Sequence, residues 1–143
     1  MNKALRFVWL SLLTLFCGVA SARTVVFDPA TDASSGTSLT KDGITITMTS
    51  GTSSFAATDY NGTLSYAFGK GTGFEFTAGE SVKINSVTFD YQSAGGYIYD
   101  RNYTTTGTEM EGGKTYTVKD EGASKLKFSV FSGPMYFSKI TVE

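Results

Sequence analysis

Residues 41–49 read Lys41-Asp42-Gly43-Ile44-Thr45-Ile46-Thr47-Met48-Thr49, and this stretch decides the fold class. A turn dipeptide, Asp42-Gly43, leads into a run in which Ile44, Ile46 and Met48 alternate with threonines. Period two is the spacing at which a strand sends its side chains to one face of a sheet, and threonine suits the solvated face. The same period recurs outward along the chain. Leu64, Tyr66 and Phe68 alternate with Ser65 and Ala67, and Phe74 and Phe76 flank Glu75. Val87, Phe89 and Tyr91 form another set, followed by Tyr116 with Val118 and by Leu126, Phe128 and Val130. The last strand is expected to place Tyr136, Ile140 and Val142 on one side. Phe89, Leu126, Phe128 and Ile140 are therefore the expected heart of a core.

Between these runs stand Asp42-Gly43, Asn61-Gly62, Gly95-Gly96, Gly112-Gly113, Glu121-Gly122 and Gly133-Pro134, residues that turn a chain at short intervals. Gly, Ser and Thr make up 53 of the 143 residues, a composition poor for helix. About nine short strands, each with one apolar face, bury those faces most simply in two packed layers. The sequence thus predicts an all-β, antiparallel two-sheet β-sandwich, jelly-roll-like in character. One break in parity predicts a local feature: Val82 and Ile84 are even, whereas Val87, Phe89 and Tyr91 are odd. Both sets reach one core only through a bulge or short turn near Asn85-Ser86. Asp28 to Thr40 and Ser50 to Thr58 lack the pattern and read as connections.

The N-terminus reads as a targeting segment. Lys3 and Arg6 precede an apolar run from Phe7 to Phe16, and Ala20-Ser21-Ala22 supplies small residues at a cleavage position. The uncharged run to Ala22 is shorter than the ~20 apolar residues that span a bilayer. Cys17 stands where a lipoprotein signal would carry its lipidated cysteine, but Phe16 fills the preceding position, which must be small. Residues 1–22 are accordingly expected to leave as a secretory signal peptide, and residues 23–143 to form one domain, secreted or at the cell surface with no further need of a membrane. That domain has 10 basic and 13 acidic side chains and no Cys, so it must rely on an apolar core rather than disulfides.

Three segments carry a family likeness: Lys41-Asp42-Gly43-Ile44-Thr45-Ile46-Thr47, Lys83-Ile84-Asn85-Ser86-Val87-Thr88-Phe89 and Tyr136-Phe137-Ser138-Lys139-Ile140-Thr141-Val142. They resemble a recurrent type of small β-sandwich domain in secreted proteins of gut Bacteroidetes. The resemblance implies an extracellular, non-catalytic module of the kind found beside carbohydrate-active or surface proteins.

Composition narrows the chemistry independently. With no His and a single Cys, mechanisms built on Ser–His or Cys–His pairs and zinc sites built on those ligands are excluded. Twelve basic against thirteen acidic residues leave no excess of positive charge for a nucleic-acid backbone. The remaining catalytic pairing is two carboxylates, as in glycoside hydrolysis, with Glu75, Asp90 and Asp100 as candidates. Glu75 and Asp90 fall at outward strand positions, where a solvated carboxylate is ordinary, so no enzyme and no cofactor are expected. Asp28, Asp32 and Asp59 could offer oxygen to calcium, yet their spacing matches no binding loop and no metal site is expected.

The binding candidate is Gly95-Gly96-Tyr97-Ile98-Tyr99-Asp100-Arg101-Asn102-Tyr103. If Ile98 points inward, Tyr97 and Tyr99 stand on one outer face beside Asp100, Arg101, Asn102 and Tyr103. Rings that accept the C–H face of a pyranose, next to groups that satisfy its hydroxyls, have the composition of a sugar site. The opposite register would put both tyrosines in the core. Two functions follow: an extracellular binding module with glycan as its partner, or a structural or adhesive surface protein that binds protein partners or copies of itself.

Overall fold

The computed structural model describes residues 22–93, 97–100 and 115–143, so residues 1–21 of the expected signal lie outside the described residues. The protein is an all-β sandwich of two antiparallel sheets. Eleven strands are present among the described residues: β1 (Val25–Phe27), β2 (Ser38–Lys41), β3 (Ile44–Ser50), β4 (Ala57–Tyr60), β5 (Thr63–Phe68), β6 (Gly73–Ala78), β7 (Ile84–Ser93), β8 (Tyr97–Asp100), β9 (Thr115–Ala123), β10 (Lys125–Phe131) and β11 (Met135–Val142). A single helical turn, α1 (Pro29–Asp32), follows β1.

Sheet A runs β4-β5-β11-β7-β9, and sheet B runs β2-β3-β6-β10-β8. Strand β1 also pairs with β11, Phe27 opposite Ile140, on the stretch beyond the β5 pairing of Tyr66 with Phe137. From β5 onward successive strands alternate between the sheets, and β5 meets β6, and β6 meets β7, across the core through Phe68–Phe74 and Phe76–Phe89. The β9–β10 crossing is short: the chain passes between sheets at Ser124, whose carbonyl accepts from the Ala78 N–H at 2.9 Å.

The core is an aromatic interleaf. Phe68, Phe89 and Phe137 project from sheet A and Phe74, Phe76 and Phe128 from sheet B, all at most 2 % exposed. Phe89 meets Phe128 edge-on with ring centroids 5.1 Å apart, and Phe68 meets Phe74 at the same separation. Such pairs contribute about 0.5–1.5 kcal/mol each beyond the apolar area they bury. Leu126 and Ile140 are fully buried with them, as the alternating pattern requires.

Two hairpins rest on the dipeptides that mark them in sequence. Asp42-Gly43 joins β2 to β3 with φ of 51° and 82°, and Asn61-Gly62 joins β4 to β5 with 53° and 78°. Positive φ at both central residues gives the turn whose twist matches that of the strands. At Gly43 the absence of a side chain is also a matter of space, because a Cβ there would lie 2.9 Å from Val82 Cγ2.

The expected irregularity at Asn85-Ser86 is present. The Glu143 carbonyl accepts from both the Asn85 and Ser86 N–H groups, at 2.5 and 3.1 Å, and the register with β9 shifts between Ile84 and Ser86. Ile84 and Val87, of opposite parity, both end fully buried.

Elsewhere the reading of the strands is corrected. Tyr136 does not share a face with Ile140 and Val142: Met135 and Phe137 are the buried residues, and the register with β7 shifts between Phe137 and Lys139. A bulge at Ser138, whose hydroxyl donates to the Asp90 carbonyl at 3.1 Å, changes the parity there. Leu64 is 47 % exposed rather than core, because β5 leaves β11 after Tyr66 and β1 takes over the pairing. The stretch Asp28–Thr40 is not a plain connection. Asp28 caps α1 by accepting from the Ala30 N–H at 2.8 Å, Pro29 opens the helical turn, and β2 begins at Ser38. Ser50–Thr58 is largely loop, though it buries Phe55 and runs into β4.

Candidate functional site

The segment singled out by its tyrosines forms β8, the edge strand of sheet B. Its register against β10 pairs Tyr97 with Phe131, Ile98 with Val130, Tyr99 with Ser129 and Asp100 with Phe128. Ile98 is fully buried beside the buried Val130, the inward orientation on which the binding reading depends. The side chains of Tyr97, Tyr99 and Asp100 lie outside the described residues, as do Arg101, Asn102 and Tyr103 entirely.

What β10 turns outward is described. Lys125, Lys127 and Phe131 are exposed and Ser129 is half-buried, alternating with buried Leu126, Phe128 and Val130. Phe131 is 53 % exposed, a large apolar ring at the strand position directly opposite Tyr97. The sequence reading misses it, although its parity, opposite to that of Leu126, Phe128 and Val130, is a sufficient signal. Beyond β10 the same outer face is polar. Thr47 on β3 bonds the Ser38 hydroxyl on β2 at 3.2 Å, and Thr45 bonds Thr40 at 2.9 Å.

Glu75, on β6, is the charged centre of this face. Its carboxylate receives Lys125 Nζ at 3.0 Å and Thr77 Oγ1 at 3.2 Å, with Lys127 Nζ at 3.4 Å. Partial burial pushes its pKa up, but the hydrogen bonds from Lys125 and Thr77 and the lysine charge outweigh this and hold it below the usual glutamate value. A carboxyl group held ionised is unsuited to donate a proton. Asp90, the second catalytic candidate, lies on the outer face of sheet A with Lys139 Nζ 3.2 Å from its Oδ2. The two carboxylates stand on opposite outer surfaces with the core between them, so they cannot flank one glycosidic bond.

The three aspartates considered for calcium are engaged in local structure. Asp28 caps α1, Asp32 accepts from the Asp28 N–H at 3.0 Å and from Lys41 Nζ at 2.8 Å, and Asp59 accepts from the Gly62 N–H at 3.1 Å. Among the described residues no three acidic, Cys or His side chains converge on a point. A separate cleft of about 490 Å³ opens at one end of the sandwich, with Val25, Ile44, Val82 and Val142 lining it and Arg23 and Asp42 paired at 2.6 Å.

Among known proteins, no family model and no curated protein matches the chain. Solved structures do. The chain is similar to CpGH89CBM32-6 produced by Clostridium perfringens, with a TM-score of 0.44 and 14 % identity over 72 % of this chain and 94 % of that one. It is similar to a carbohydrate binding module of family 29, with a TM-score of 0.40 and 13 % identity over 85 % and 89 % of the two chains. A third is the family 32 module from C. perfringens NanJ in complex with galactose, with a TM-score of 0.33 and 12 % identity over 84 % and 91 %. The likeness is one of shape alone.

Proposed function

We propose that the protein is a secreted, non-catalytic carbohydrate-binding domain whose site lies on the outer face of sheet B, at the β8–β10 edge. The observation that carries the reading is the exposed Phe131 at the position opposite Tyr97, on a face otherwise lined with hydroxyls and the ion-paired cluster of Glu75 with Lys125 and Lys127. Tyr97, Tyr99 and Phe131 supply ring surface for the C–H face of a pyranose, and Asp100, Arg101, Asn102 and Tyr103 supply donors and acceptors for its hydroxyls. Burial of Ile98 supports this orientation. The Lys3/Arg6 start, the apolar run and Ala20-Ser21-Ala22 support export, and the likeness of three strand segments to secreted domains of gut Bacteroidetes supports an extracellular setting.

The test is a glycan array probed with residues 23–143, read beside the elution volume at several concentrations. Binding to a defined set of glycans by a monomer is expected. Self-association without any glycan signal would instead establish the adhesive or structural function.

A further inference from the structure

The outer face of sheet A, on the other side of the molecule, carries an aromatic feature that the β8 site does not use. Tyr60 on β4 and Tyr136 on β11 stack with centroids 3.7 Å apart and planes 4° from parallel. Strand β5 lies between them, and the rings meet across it because β5 turns only the small side chains of Thr63, Ser65 and Ala67 outward there. Ser65 is fully buried on that face, while both tyrosines are half-buried. Gln92, the register partner of Tyr136 on β7, extends its amide over the same surface to donate to Thr63 Oγ1 at 3.2 Å, carrying its acceptor oxygen alongside. Asp90 and Lys139 continue the face as a compensated ion pair.

The surroundings select the occupant. Thr58, Thr88 and Thr141 share this face, so beyond the two rings it offers hydroxyls rather than the apolar anchors around which protein interfaces are built. Among the described side chains from β4 to β7 on this face, Asp90 and Lys139 form an ion pair, which leaves no excess positive charge there for an anionic polymer. From β4 to β7 the surface crosses four strands, about 14 Å at the usual strand spacing, longer than a single sugar ring.

We propose that the Tyr60–Tyr136 surface is a second carbohydrate site, taking a neutral oligosaccharide with its pyranose C–H faces against the rings and its hydroxyls on Gln92 and Thr63. The proposal rests on the reading of the domain as a glycan binder and adds that it engages glycan on both outer faces. One domain then bridges two chains, or holds one polysaccharide with the avidity of linked sites.

The experiment is amide chemical-shift mapping of residues 23–143 with neutral galacto-, manno-, xylo- and gluco-oligosaccharides and with heparin, alongside calorimetric stoichiometry for the parent and Tyr136→Ala. With the neutral sugar that binds, shifts are expected at Ser65, Ala67 and Gln92 as well as along β8 and β10, and the stoichiometry is expected to halve in Tyr136→Ala. Shifts confined to β8 and β10, with unchanged stoichiometry in the variant, would overturn the second site and leave the first standing. Shifts confined to the Tyr60–Tyr136 face would uphold the second site and remove the first, and silence with every oligosaccharide would overturn both. A response to heparin alone would overturn the neutral-ligand assignment. Mapping on the parent does not depend on the variant folding.

Discussion

At the scale of single residues, Phe128 and Glu75 show how differently the two sides of sheet B are held. Phe128 contacts Phe74, Phe76 and Phe89, with centroid separations of 5.1–5.6 Å, and is buried. Truncating it removes several ring contacts at once and leaves a cavity that a rigid interleaf closes poorly. Phe128→Ala is expected to cost about 3–5 kcal/mol, read as a shift in the urea midpoint. Glu75 acts through its charge. Because its pKa in the folded protein lies below the ordinary value of 4.5, the stability it contributes is fully present above that value. That contribution is lost as pH falls through the lowered folded-state pKa. The stability difference between the parent and Glu75→Gln should therefore shrink on acidification below the ordinary glutamate range, measured by thermal melts across pH. A constant difference would show that the Lys125 and Lys127 contacts do not bias the carboxylate.

At the scale of elements, the hairpin turns separate two physical costs of glycine replacement. Gly62 has φ +78°, and a Cβ added there would meet nothing within 4 Å, so Gly62→Ala tests backbone conformation alone and should cost on the order of 1 kcal/mol. Gly43 has φ +82° and also faces Val82, so Gly43→Ala should lower the melting temperature further than Gly62→Ala does. These turns are legible in the sequence because the residue types that tolerate positive φ are few. The bulge at Asn85-Ser86 is legible too, since apolar residues of opposite parity stand on either side of it. The bulge at Ser138 is hidden: Tyr136 and Phe137 are both aromatic, and nothing in their types says which one faces the core. Strand β2 escapes the pattern because Leu39 is its single apolar residue, and Leu64 misleads because the exchange of β5 for β1 beside β11 is a long-range event. In the candidate site, alternation leaves both facings of Tyr97-Ile98-Tyr99 open; the parity of Phe131 marks it as outward, but its place opposite Tyr97 comes only from the β8–β10 pairing, made across a long sequence separation.

At the scale of the whole molecule, the sandwich gives each sheet one buried and one solvated face, and both proposed sites lie on the solvated faces. Sheet B offers a hydroxyl-lined surface with an exposed ring at its β8 edge, and the buried aromatic interleaf holds that surface fixed. The most direct test of the account is isothermal calorimetry of a glycan bound by the parent, repeated with the Tyr97→Ala, Tyr99→Ala double variant. The account predicts an unchanged melting temperature and a loss of about 1–3 kcal/mol per ring, by analogy with bases stacked on protein aromatics. Unfolding of the double variant, or an intact fold with undiminished affinity and stoichiometry, would contradict it.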